Sequence, residues 1–194
     1  MDFYRIPVLR KIQLLCENFT FNLFHSKKLG NKVKVFGYPH IFSAPNTLIR
    51  FGKNITLIST PYFSEPGVNH PVVIRLLNEN AKLTIGDNVG ISGGGISVAD
   101  EVYIGKNVML GANTFITDTD FHPIAPKNRR FSRENVKSKK VIIEDNVFIG
   151  METIILKGVR IGENSIVGAG SIVSKNIPSN QIWGGNPAKF IKNL

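Results

Sequence analysis

Aliphatic residues recur every six positions along much of this chain. Ile143, Ile149, Ile155, Ile161, Val167 and Val173 form one unbroken series, and Val98, Ile104, Leu110 and Ile116 form an earlier one. A helix repeats about every 3.6 residues and a strand about every two, so neither sustains a six. Glycine often follows the aliphatic residue, as at Gly86, Gly105, Gly111, Gly150, Gly162 and Gly168. Four places after the aliphatic residue stands a small or β-branched one: Val89, Val102, Val108, Thr114, Val147, Thr153, Val159, Ser165 and Ser171. Such a period is an internal repeat and has to be read before ordinary strands are assigned. One short strand and one corner per hexapeptide accounts for it. The aliphatic side chain points inward and fills an axis. The small residue also faces inward, near the corner, and Gly or Asn at the corner accepts a positive φ. Three hexapeptides make one turn of a coil, and each strand pairs with the one above it. No single repeat buries its own face, so several must stack.

The rhythm stops after Ile116 and resumes at Ile143. Between them lies DTDFHPIAPKNRRFSRENVKSKKV (118–141). A coil can eject a loop at a corner without losing its stacking, and long loops in compact domains are usually functional or disordered. Residues 1–36 differ again. Val8, Leu9, Ile12, Leu15 and Cys16 recur at helical spacing, followed by Phe19, Phe21, Leu23 and Phe24. The expectation is a helix, or a helix and turn, packed on the main body through that apolar face, with Cys16 a buried thiol within it. The alternative is peripheral contact of residues 1–36 with a membrane surface through the same face and its basic residues. The ordered regions of a secretory signal do not occur. The expected organisation is an N-terminal helical or irregular segment over 1–48, a coil over 49–182 carrying the loop 118–141, and a C-terminal tail over 183–194.

A chain of 194 residues that is 42% hydrophobic can bury a real core within one domain. No apolar run reaches the ~18–20 residues of a membrane span, and a single cysteine excludes a disulfide framework. The net charge of +10 favours a polyanionic partner. It is concentrated in residues 1–60 and in 126–140, where Lys127, Arg129, Arg130, Arg133, Lys137, Lys139 and Lys140 face only Glu134. Nucleic acid is not expected, because the basic runs hold few aromatics for stacking and no helix-turn-helix, finger or RNP pattern. The basic loop hints instead at an acidic or phosphorylated ligand.

His25, His40 and His70 lie outside the regular repeats. His122 stands at the entry to the ejected loop, with Asp118 and Asp120 close by. A carboxylate that accepts from one ring nitrogen fixes the tautomer and leaves the other nitrogen free as a base. Either aspartate, or a backbone carbonyl, can do this. A loop-ordering Asp-x-Asp turn with an incidental histidine is the plainer alternative. GGGIS (93–97) precedes no helix, so no phosphate-binding loop is read.

Three segments, IGKNVMLGANTFITDTDFHP (104–123), IGENSIVGAGSIVSKNIP (161–178) and WGGNPAKFI (183–191), resemble the hexapeptide-repeat acyltransferases. Within that superfamily they are most similar to the galactoside, maltose and xenobiotic acetyltransferases and to O-acetyltransferases of bacterial surface polysaccharides. The likeness covers roughly residues 50–191. It implies an all-β left-handed parallel β-helix. The resemblance supplies the hand, since general sterics favour right-handed crossovers. It further implies a cytoplasmic homotrimer that binds acetyl-CoA between two subunits and needs no metal. The implied reaction is direct acetyl transfer to a sugar hydroxyl, in surface polysaccharide biosynthesis, with His122 as general base and Asp120 and Asp118 beside it. Coenzyme A is placed against Gly150, Ala169, Ser174 and Lys175, with Lys189 and Lys192 facing its phosphates. The NVWIG phrase common among relatives is NVFIG here, with Phe148, and Met151 follows in place of a small polar residue, which puts one cofactor contact in question. N-acylation of an amino or nucleotide sugar is the alternative reaction, and a non-catalytic binding module the alternative class. Metal hydratases of the same coil need three converging histidines, whereas His122 is the one histidine that adjoins the regular repeats here.

Overall fold

The computed structural model describes residues 7–194. Residues 1–6 of the expected N-terminal segment lie outside the described residues. Helix α1 (Val8–Leu29) starts directly after Pro7 and carries Lys27 and Lys28 in its last turn, where cations suit the helix dipole. Gly30 ends it with φ 85°, donating its N–H to the Ser26 carbonyl.

From Val33 the chain winds into a coil of three faces. The first turn supplies one strand to each: Val33–Phe36 to the first face, His40–Ser43 to the second and Leu48–Phe51 to the third. Later turns extend these to sheets of eight, six and five strands. Pairing between turns is parallel throughout, and the terminal pair Gln181–Gly184 with Lys189–Asn193 is antiparallel. The coil therefore begins ahead of the boundary expected at residue 49. His40–Ser43 pairs in full register with Val73–Leu76, so the supposed irregular segment is already the first turn.

The six-residue series is the axis of the coil. Leu57, Ile91, Leu110, Ile149 and Val167 stack in register on the first face. Ile74, Ile96, Ile116, Ile155 and Val173 stack on the second. Ile85, Ile104, Ile143 and Ile161 stack on the third. None of these is more than 4% exposed, and burial of each such side chain is worth about 1.5–3 kcal/mol. The second-face column passes through Ile96, and Val98 is buried at the end of the same strand. The small residues four places on face inward at the corners. Thr114 and Ser171 there donate their hydroxyls to the carbonyls of Gly111 and Gly168 at 2.8 and 2.5 Å.

One corner is closed by a ladder. Asn54, Asn88, Asn107, Asn146, Asn164 and Asn180 all have φ between 57° and 62°. Each side-chain amide donates to the next along the series, at 2.8–3.2 Å. Asparagine tolerates the left-handed conformation better than most residues, and its amide can donate and accept at once. One residue type thus supplies both the bend and the link between turns.

The helix docks differently from the sequence expectation. Its apolar stripe does not pack on the coil: Val8, Leu9, Ile12, Leu15, Phe19, Leu23 and Phe24 are exposed, and so is Cys16, expected as a buried thiol. The docked face carries Leu14, Phe21 and Leu29, with two asparagines between them. Asn18 donates to the Val35 carbonyl at 2.7 Å and accepts from the Val35 N–H at 2.8 Å. Asn22 makes the same pair with Val33, at 2.8 and 2.7 Å. Val33–Phe36 is the outermost strand of its sheet. The two amides occupy the hydrogen bonds a further strand would make, so the helix protects an edge that would otherwise pair with another chain. Helical periodicity was readable, but which face docks depends on this polar clamp.

Candidate functional site

After strand Phe115–Thr117 the chain leaves the corner between the second and third faces, and it returns at strand Val141–Ile143. Backbone bonds close the root of this loop. Thr119 and Ser138 form an antiparallel bridge, Lys139 donates to the Asp118 carbonyl at 2.8 Å, and Asp120 donates to the Lys137 carbonyl at 3.1 Å.

The two aspartates have different surroundings. Asp118 is fully buried, and its carboxylate accepts the Ala99 and Asp100 N–H groups at 2.7 and 2.8 Å. Burial pushes its carboxyl above the ordinary range, and those two N–H groups partly oppose the shift. Its oxygens face the preceding turn and do not hold the His122 ring. Asp120 accepts from the Lys157 ammonium at 2.5 Å through Oδ1, while its Oδ2 is buried without a hydrogen-bond partner. Neither carboxylate orients the imidazole in this chain, so the expected pairing is not formed.

Phe121 has φ 62°, a conformation rare for a bulky residue and worth about 1–3 kcal/mol of strain. It is held by Arg133, which donates to its carbonyl at 2.9 Å, and by stacking on Phe115 with centroids 6.5 Å apart. The next residue is His122, whose N–H donates to the Asp120 carbonyl at 2.7 Å. Its side chain is exposed and lines a cavity of about 570 Å³ together with Pro126, Asn128, Arg129, Arg130 and Phe131. The kinked residue thus turns the histidine out of the coil corner into a basic, partly apolar hollow.

The expected cofactor residues fall into three places. Ser174 and Lys175 share the corner of the loop root: the register Ile116–Ile155–Val173 sets Lys157 one turn beyond the root and Lys175 a further turn on. Turns are about 4.8 Å apart. Gly150 and Ala169 lie on the opposite edge of the second face, at the corner with the first. Gly150 has a packing reason for lacking a side chain, since a Cβ there would lie 2.5 Å from the Ala169 nitrogen. The corner 168–170 is open: a Cβ on Gly168 would meet nothing nearer than 3.6 Å, and one on Gly170 nothing within 4 Å. That bare backbone admits close approach of an extended ligand. Lys189 and Lys192 lie on the exposed terminal strand Lys189–Asn193. One chain therefore brings His122, Lys157, Ser174 and Lys175 to one edge and leaves Ala169 on the other. Phe148 and Met151, on the first face and its corner, are exposed.

Lys157 was not among the expected residues. The signal was present, because Lys157 and Lys175 stand one eighteen-residue turn apart. Among the described residues no group of three or more His, Cys, Asp or Glu is placed to hold a metal ion, and no helix is long and apolar enough to cross a membrane.

Residues 140–175 match the family model described as the hexapeptide repeat of succinyl-transferase. The chain is 47% identical over 87 residues to a galactoside O-acetyltransferase of Lactococcus lactis, covering 45% of this chain and 41% of that one. It is 33% identical over 143 residues to the galactoside O-acetyltransferase of Escherichia coli, covering 74% of this chain and 63% of that one. The match thus spans less than two thirds of either relative. Among solved structures it resembles a hexapeptide-repeat acetyltransferase of Vibrio cholerae complexed with acetyl coenzyme A. That likeness has a TM-score of 0.55 and 23% identity, and covers 100% of this chain and 91% of that one. An N-acyltransferase of Bacillus cereus gives a TM-score of 0.58 at 24% identity, over 83% of this chain and 79% of that one. The shared fold is the left-handed parallel β-helix, and the chain carries the hexapeptide repeat that builds it.

Proposed function

We propose that this chain is an acetyl-CoA-dependent O-acetyltransferase that acts on a sugar hydroxyl, with His122 as general base. The observation that carries the reading is the exposed imidazole, set by a strained residue at the mouth of the longest loop the coil ejects among the described residues. The 47% identity to a galactoside O-acetyltransferase supports it. Acetyl-CoA supplies an activated thioester. A sugar hydroxyl attacks a thioester poorly while it keeps its proton. A neutral imidazole within hydrogen-bond reach takes that proton as the C–O bond forms, for about 10²–10⁴ in rate. Among the described residues no carboxylate holds the ring, so a backbone carbonyl, the acceptor or a neighbouring subunit orients it. Asp118 belongs to the coil corner and is not part of the catalytic set. Asp120, pinned by Lys157, positions the segment that enters His122.

Coenzyme A lies along the second face, with Ala169 and its flanking glycines giving backbone approach and Ser174 and Lys175 at the far edge. Those two edges belong to different corners, which suits a cleft between two copies in a homotrimer. Lys189 and Lys192 face its phosphates from the terminal strand. The enzyme works in the cytoplasm on precursors of a surface polysaccharide.

A second reading is acyl transfer to an amino group. The chain is 40% identical over 88 residues to a tetrahydropyridine-dicarboxylate N-acetyltransferase of Staphylococcus aureus. The test is a panel of neutral, acidic and amino sugars and nucleotide sugars with acetyl-CoA, read by release of free thiol. Release with hydroxyl acceptors is expected. Release with amines alone would replace the O-acetyl reading, and no release with any acceptor would contradict both.

A further inference from the structure

We propose that α1 seats this protein on an anionic lipid surface through the stripe it leaves uncovered. At 100° per residue, Val8, Ile12, Leu15, Cys16, Phe19 and Leu23 fall within one arc of about 100°, a width typical of an apolar helix face. Leu9 and Phe19 are 81% and 69% exposed. This stripe is not surface left over from poor docking. The helix is fixed on another face by Asn18, Asn22, Leu14, Phe21 and Leu29, so the apolar side is held outward.

The charge around the stripe selects the occupant. Arg10, Lys11, Lys27, Lys28, Lys32 and Lys34 accompany it over residues 8–36, against the single acid Glu17. That acid is engaged within the molecule, accepting from the Gly37 N–H at 3.0 Å and from Gln13 at 2.7 Å. On the wheel Lys11 falls about 40° outside this arc on one side, and Lys27 about 20° outside it on the other, level with Leu9. Beside it runs a groove of about 470 Å³, walled by Phe19, Leu23 and Ser26 with Lys32 at its side. Apolar side chains bordered by cations match the boundary between acyl chains and acidic headgroups. Over residues 8–36 a second copy of the same helix would set six further cations and one further acid against these, so like charges would dominate the contact.

The experiment is flotation of the full chain with vesicles of phosphatidylcholine, alone or with about 30% phosphatidylglycerol. The expected result is binding to the anionic vesicles that is roughly tenfold or more tighter than to neutral ones and falls with salt. A Leu15→Glu/Phe19→Glu variant is expected to lose that binding by roughly tenfold or more with unchanged circular dichroism, since both positions are exposed. Arg129→Ser/Arg130→Ser, in the ejected loop and not on α1, is expected to bind vesicles like the parent. Three results would overturn the proposal. One is no binding of the parent chain to anionic vesicles. Another is retention of binding by the stripe variant or its loss in the loop variant. The third is concentration-dependent self-association, seen by sedimentation without lipid, that the stripe variant abolishes.

Discussion

The coil and the loop it ejects place their apolar residues in opposite ways. Ile143, Ile149, Ile155 and Ile161 are wholly buried in the axis, while Ile124 and Phe131 of the loop are 68% and 83% exposed. The coil is held by parallel register repeated turn after turn. The loop is held by a short bridge at its root, by Arg133 on the Phe121 carbonyl, and by the Lys157–Asp120 ion pair. Scaffold and chemistry are therefore separable. Changes in the axis should lower stability and leave each folded molecule competent, whereas changes at the loop entry should do the reverse.

The strongest challenge to that division is Ile155→Ala. Removing a fully buried axial side chain leaves a cavity between stacked turns, and the expected loss is about 2–5 kcal/mol by chemical denaturation. Acetyl transfer per folded molecule should persist, and its disappearance in soluble, folded protein would break the separation. Asn22→Ala comes next. It leaves the Val33 N–H and carbonyl without their partner, for a loss of about 1–3 kcal/mol. Hydrogen exchange should show that loss in α1 and the first turn and leave the later turns protected. Uniform loss of protection would mean that helix and coil are one unit. Asn146→Ala interrupts the ladder and puts a Cβ without an amide at a positive φ. About 1 kcal/mol is expected, with Asn146→Gly recovering the backbone share but not the two side-chain bonds.

The smallest effect is in pH. His25 packs against Phe21, with centroids 4.7 Å apart. Burial first, and the charge of Lys28 second, lower its pKa from the ordinary 6.5. The neutral ring is favoured in the folded chain. Its contribution is complete above 6.5 and is lost as pH falls from there through the lowered value, because the unfolded chain takes up the proton first. Melting temperatures at about pH 7.5 and about pH 5.5 should therefore differ more for the parent than for His25→Gln. An equal difference would show that His25 does not contribute to the pH dependence.

What the sequence disclosed follows from how regular each part is. Where one turn is eighteen residues, as from Ile155 to Val173, the spacing alone identified the axis and the break that becomes the loop. The earlier turns are longer. Leu57 pairs with Ile91 across a detour that includes the short 3-10 helix Pro61–Phe63, so the period vanished and the first turn looked like an irregular segment. The helix was legible as a helix, but apolar spacing indicates the core only when apolar contact does the docking. Here Asn18 and Asn22 dock it to a strand edge. At the site, His122 stood out because it interrupts a rhythm. The separation of Asp118 from Asp120 did not, since two residues of one short motif turn to opposite sides of a corner.

His122 carries the proposed chemistry, and His122→Ala tests it most directly. Initial rates of acetyl transfer to the best hydroxyl acceptor should fall by about 10²–10⁴. Coenzyme A affinity and the melting temperature should stay at the parent values, because the ring is exposed and lies outside the axis. A variant that transfers acetyl at the parent rate, or that loses coenzyme A binding and activity together, would contradict the assignment.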